Sequence, residues 1–269
     1  MASSCTALFY YQLLTNHSIT RIFMNTETNN IGKVALVFGG SRGIGAAAVR
    51  RLSRDGFSVG LTYVSRPDSA QDVVDAIVAG GGQAFAVQAD SADATAIRTA
   101  VEKVTAHFGR LDVVVVNAGI LRLGLVDTFT LADLDQVLQV NIRGVYLAIQ
   151  AAVAHMGENG SVITIGSNSA VRPLVPIGTV YGMSKAAVAA MIKGLALDLA
   201  PRNIRVNNIQ PGPIETDMTA EHIEHIKDLV PLGRVGKTED VAELVSYLAG
   251  ASSRYMTGSS LTIDGGMTL

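Results

Sequence analysis

Seven short β-rich runs, each of the first six followed by a helical stretch, constrain this chain more than any other feature. Val34–Phe38 and Val113–Val116 are apolar at every position, and Val162–Ile165 nearly so. A strand with one face in water alternates apolar and polar residues, so unbroken apolar runs mean strands covered on both faces. The remaining runs are Val59–Tyr63, Ala84–Gln88, Arg205–Ile209 and Ser260–Ile263. Helical spacing is read over 46–55, 71–79, 95–108, 131–156, a stretch ending near Leu199, and 238–248. Strands alternating with helices predict one α/β domain, a doubly wound parallel sheet of about seven strands with helices on both faces. Ligands of such sheets lie outside the carboxyl ends of the strands.

Gly39-Gly40-Ser41-Arg42-Gly43-Ile44-Gly45 falls between the first strand and the first helix. In that position glycines allow a tight turn and a close approach to a pyrophosphate, whose charge the helix N-terminus meets. Further along, Tyr181 and Lys185 stand one helical turn apart in Tyr181-Gly182-Met183-Ser184-Lys185, which puts phenol and ammonium on one face. A free tyrosine ionises near pH 10, so a fixed cation beside it is a direct way to make a usable acid or base. A surface contact is the ordinary meaning of that spacing, and its neighbours decide.

The formal charge of −2 and pI of about 6.2 give no basic excess for nucleic acid or an anionic membrane. No apolar run approaches the roughly 20 residues of a membrane span. Cys5 is the sole cysteine, which excludes an intrachain disulfide and a cysteine-based zinc site and is compatible with the cytoplasm. His222 and His225 lack a third ligand nearby, so no metal site is expected. Residues 1–31 read as a leader or a disordered N-terminal extension, and 32–269 as the domain.

The spacing Gly39, Gly43, Gly45, together with Asn117-Ala118-Gly119, Ser167, the Tyr181–Lys185 pair and Pro211-Gly212-Pro213-Ile214-Glu215-Thr216, resembles the short-chain dehydrogenase/reductase family. The resemblance runs from Gly32 to Leu269 and implies a single-domain Rossmann fold. Phe38 departs from it, standing where the family has a threonine that braces the glycine turn. The resemblance implies catalytic roles for four residues. Ser167 would hydrogen-bond a substrate carbonyl, with Asn168 and Ser169 as neighbouring rivals. Tyr181 would exchange the proton, Lys185 would lower the Tyr181 pKa and hold the nicotinamide ribose, and Asn141 would tie Lys185 to a water relay.

By the same resemblance the dinucleotide lies against Gly39, Ser41, Arg42, Gly43, Ile44, Gly45, Tyr63, Ser65, Arg66, Asp90, Ser91, Asn117, Ala118, Gly119, Tyr181, Lys185, Pro211, Gly212, Ile214 and Thr216. Asp90 could instead cap a helix. The second strand ends in Tyr63-Val64-Ser65-Arg66 with no acid for the ribose hydroxyls of NAD, whereas Arg42 and Arg66 could flank a 2′-phosphate. NADP(H) is therefore the expected cofactor, and the segment from Met218 to Val230 the expected lid.

These implications give NADPH-dependent reduction of a ketone or aldehyde in a small molecule. Reduction of 3-oxoacyl groups on acyl carrier protein is the alternative. That acidic carrier calls for basic residues before the fifth strand, where Ala154-His155-Met156-Gly157-Glu158-Asn159-Gly160 has none, although Arg202 ends the Tyr181 helix. The glycine turn and the Pro211 segment also resemble a biofilm-dispersal branch of the family that binds cyclic di-GMP, a signalling role on the same fold. A homotetramer or homodimer is implied, formed through two long helices and the C-terminal strand.

Overall fold

The computed structural model describes residues 32–173, 176–217, 219 and 226–269. Residues 1–31, His222, His225 and most of the expected lid lie outside them. Seven parallel strands form one sheet in the order β3-β2-β1-β4-β5-β6-β7. They are β1 (Val34–Phe38), β2 (Ser58–Tyr63), β3 (Ala84–Gln88), β4 (Leu111–Val116), β5 (Met156–Ile165), β6 (Arg205–Pro211) and β7 (Ser260–Ile263). The order reverses between β1 and β4, which opens a crevice at their carboxyl ends.

The unbroken apolar runs follow from two cores, one on each face. Leu36, Phe38, Val114 and Val116 point to α3 (Ala94–Phe108), α5 (Val145–Val153) and α6 (Thr179–Leu199). Their neighbours Ala35, Val37, Val113 and Val115 point to α1 (Gly43–Arg54), α2 (Pro67–Ala79) and α7 (Thr238–Ala249). Every β1 side chain is at most 2% exposed, and burying such a residue stabilises by about 1.5–3 kcal/mol. A polar residue at any of these positions would have no solvent to reach.

Two segments depart from the sequence reading. The single helix expected over 131–156 is α4 (Leu131–Leu138), a wider π-helical turn (Gln139–Gly144) and α5. Within that turn the fully buried Asn141 bonds sideways to Ile120 and Ser184, and a Cβ on Gly144 would overlap the Ser91 carbonyl. Such inserted polar contacts are what a helix widens to accommodate. Met156 then belongs to β5, which pairs Met156 with Leu111 and Ser161 with Val113, leaving residues 157–160 as a bulge. Exposed Gly157, Glu158 and Asn159 hide the first half of this strand from any apolar pattern.

Helix α6 ends at Leu199, where the sequence reading places it, but it corrects the reading that no stretch approaches the length of a membrane span. Pro176–Arg202 is long and apolar enough to cross a membrane by length and composition. Its Val188, Ile192, Ala196 and Leu199 nevertheless sit in the core beneath the sheet, and its first turns carry Tyr181, Ser184 and Lys185.

Candidate active site

The turn after β1 is held from three sides. Gly39 adopts φ +74°, a conformation open to glycine, and a Cβ on Gly45 would overlap the Gly39 carbonyl oxygen. The buried Thr62 Oγ1 accepts from Gly39 N at 3.0 Å, and the Thr62 carbonyl accepts from Gly40 N at 2.9 Å. Asn117 Nδ2 donates to the Gly39 carbonyl at 2.8 Å. Thr62 and Asn117 thus supply the bracing that Phe38 cannot, and the turn keeps its shape. Thr62 escapes a reading of the sequence because a threonine inside a strand carries no local signal. Helix α1 begins within the turn at Gly43, earlier than its apolar spacing indicates, so its free N–H groups face the crevice.

Opposite the turn, a cavity is lined by Ile44, Asn117, Gly119, Ser167, Tyr181, Lys185, Pro211, Gly212, Ile214 and Thr216, all expected from the sequence. Ile120, Ile165 and Gly166 line it as well and were not expected, and Thr219 joins them from the segment expected as the lid. Thr219 is fixed by its hydroxyl, which accepts from Thr216 N at 3.1 Å and donates to the Ile214 carbonyl. Its recruitment depends on the fold of the segment after β6, which no spacing encodes.

Ser167 caps the short 3-10 turn Asn168–Ala170, its Oγ accepting from Ser169 N at 3.1 Å, and lines the same cavity as Tyr181, close enough to favour the ionised phenol. Its rival Asn168 is buried and directed to Asp264 at 3.4 Å. Lys185 is 5% exposed and donates from Nζ to the Ile165 carbonyl at 2.9 Å, while Nζ lies 5.7 Å from the Tyr181 ring centre. Gly119 sits between Lys185 Nζ and Asn141 Oδ1, each 3.4 Å from where a Cβ would stand. Asn141 accepts from Ile120 N and donates to the Ile120 carbonyl, both at 2.9 Å, and reaches Ser184 Oγ at 3.1 Å. It braces the wall beside Lys185 and makes no direct bond to it.

The electrostatics differ from the expected lowering of the Tyr181 pKa by Lys185. Burial pushes the phenol above its ordinary value, and the nearby Ser167 side chain opposes this only in part. Burial also lowers Lys185 to about 8, since a low-dielectric site disfavours charge whatever its sign. The site at neutral pH therefore presents a protonated hydroxyl, the state a proton donor requires.

On the far side of the crevice the remaining cofactor-side residues are spread along the carboxyl ends of β2 and β3. Tyr63 is half-buried at the end of β2, and Ser65 and Arg66 are exposed beyond it. Asp90 accepts from Ala92 N at 2.9 Å, while the α3 cap is Asp93, which accepts from Thr95 N and Ala96 N. Ser91 is buried against the π-helical turn. Arg42 and Arg66 converge on one carboxylate oxygen of Asp217, at 3.2 and 3.7 Å. That convergence on an anion, beside a helix N-terminus and a glycine cradle, fits a phosphorylated dinucleotide. Among the described residues no cluster of His, Cys, Asp or Glu could hold a metal.

Fold and site together define a dinucleotide-binding α/β protein with a tyrosine–lysine pair at the carboxyl ends of its strands. A family model described as enoyl-(acyl carrier protein) reductase matches residues 39–268. An uncharacterized oxidoreductase of Methylorubrum extorquens is 41% identical over 243 residues, covering 88% of this chain and 98% of that protein. The cyclic-di-GMP-binding biofilm dispersal mediator protein of Escherichia coli is 40% identical over 237 residues, covering 87% and 96%. A crystal structure of a short chain dehydrogenase from Burkholderia cenocepacia in complex with NADP superposes with a TM-score of 0.87 at 46% identity, covering 89% of this chain and 99% of that one. The chain belongs to the short-chain dehydrogenase/reductase family.

Proposed function

We propose that the protein is an NADPH-dependent oxidoreductase that reduces the carbonyl of a small ketone or aldehyde to an alcohol. The observation that carries this reading is the meeting of Ser167, Tyr181 and Lys185 in one cavity with the Pro211–Thr216 segment. When bound, NADPH supplies the hydride to the carbonyl carbon. Tyr181 gives its proton to the carbonyl oxygen, which completes the alcohol, and Ser167 holds that oxygen by a hydrogen bond. Lys185, cationic below about pH 8, stabilises the phenolate that Tyr181 becomes and holds the nicotinamide ribose. The glycine turn and the α1 N-terminus take the pyrophosphate, and Arg42 and Arg66 take the 2′-phosphate, in line with the NADP complex of the Burkholderia relative.

A small carbonyl is favoured over an acyl group on an acidic carrier. Arg202, the one cation expected to meet such a carrier, donates to the carbonyls of Val153 and Met156. Cyclic di-GMP binding has one observation in its favour, the 40% identity to the dispersal mediator. A purely binding role gives no reason for the Ser167, Tyr181 and Lys185 set. The assembly is proposed as a cytoplasmic homotetramer. Exposed Leu131 and Tyr146 on α4 and α5, and Met183 and Leu197 on α6, support this by leaving apolar helix faces open.

Oxidation of NADPH followed at its own absorbance, across a panel of ketones, aldehydes, quinones and 3-oxoacyl thioesters, tests the reading. Turnover of a free carbonyl is expected. No turnover on any member, with tight binding of cyclic di-GMP, would overturn it.

A further inference from the structure

The Asp217 carboxylate lies where the proposed 2′-phosphate contacts converge. Arg42 stands at the N-cap of α1 and Arg66 at the N-cap of α2, and the pairing of β1 with β2 brings both turns to the same edge of the crevice. Asp217 reaches them from across the crevice, directly after the cavity-lining Thr216. Its Oδ2 is 3.2 Å from one guanidinium and 3.7 Å from the other. The three side chains are 57%, 58% and 66% exposed, so these ion pairs are weak and exchangeable. A phosphate dianion has more charge and more acceptor oxygens than a carboxylate, and outcompetes it for the same pair of guanidiniums.

We propose that Asp217 weakens the NADP(H) preference of this protein by competing with the 2′-phosphate for Arg42 and Arg66. NADP(H) displaces the carboxylate, whereas NAD(H) carries no group that can and binds with the arginines still tied to Asp217. Asp217 thereby moderates the preference for NADP(H). The inference rests on the assignment of Arg42 and Arg66 to the 2′-phosphate made above.

Calorimetric titration at low salt with NADPH, NADH and adenosine 2′,5′-bisphosphate tests it in the full chain. Asp217→Asn should tighten NADPH and the bisphosphate about three- to tenfold, the scale of two exposed ion pairs. NADH should stay within about twofold of the native protein, because it meets neither freed arginine with a phosphate. In an Arg42→Ala/Arg66→Ala background the gain from Asp217→Asn should vanish, as a contact made through the arginines requires. No tightening on Asp217→Asn, or an equal gain with both arginines removed, would overturn the proposal and leave the NADP(H) assignment standing. Should the double arginine variant bind NADPH and NADH with their native ratio, the assignment itself fails and the competition with it.

Discussion

Replacing Lys185 by methionine should make the cofactor-free protein more stable at neutral pH while removing its activity. The lysine is buried with its Nζ bonded to a single carbonyl, that of Ile165, and its pKa falls from 10.5 to about 8. Between those two values the unfolded chain holds a proton that the folded chain has lost, so stability rises with pH across that window. Below the folded pKa the full penalty of burying the ammonium is present. For a displacement from 10.5 to about 8, the rise amounts to about 2 kcal/mol between pH 7 and 9.5. At pH 7 the whole penalty is about 3 kcal/mol. Methionine relieves it but leaves the Ile165 carbonyl without its donor, a loss of about 1 kcal/mol. Lys185→Met should therefore be about 2 kcal/mol more stable than the native protein at pH 7 and nearly equal to it at pH 9.5. Urea unfolding followed by far-UV circular dichroism, at one protein concentration and a series of pH values, measures this directly. The chain has no tryptophan to report it by fluorescence. Parallel stability curves for the two proteins across the range would refute a lysine held uncomfortably in its charged form.

Asn141→Ala removes three hydrogen bonds and leaves the Ile120 N–H and carbonyl unpaired beside Lys185. Chemical unfolding should show a loss of roughly 2–4 kcal/mol, and turnover should fall further than NADPH binding because the wall beside Lys185 shifts. Sedimentation velocity should give a mass near four times 28.1 kDa, and a monomer at micromolar concentration would remove the tetramer and the role assigned to the open faces of α5 and α6.

The sheet was legible because burial on both faces leaves no polar residue in β1 or in the Val113–Val116 part of β4, and the glycine turn because its position between strand and helix gives the spacing meaning. Tyr181, Lys185 and Ser167 were legible through family spacing and converge on one cavity. What escaped depends on contacts between distant segments. The π-helical turn at Asn141 is imposed by Ile120 and Ser91, and the first half of β5 is masked by Glu158, Asn159 and the glycines on either side of them. The brace at Thr62 and the carboxylate at Asp217 act across strands and across the crevice. The direction of the Tyr181 shift was misjudged for a related reason. Helical spacing reveals that a cation is near, but the amount of water removed from both groups is a property of the packed site, and here desolvation is the larger effect.

The central claim is that Tyr181 is the proton donor of an NADPH-dependent carbonyl reduction, and Tyr181→Phe tests it most directly. Once the panel has supplied a substrate, NADPH affinity and single-turnover reduction are measured on the native protein and the variant. Phenylalanine keeps the ring and loses only the hydroxyl, so NADPH affinity should stay within about threefold while reduction falls by about 10²–10⁴. Reduction at the native rate, with NADPH bound as tightly, would mean that the proton comes from another group.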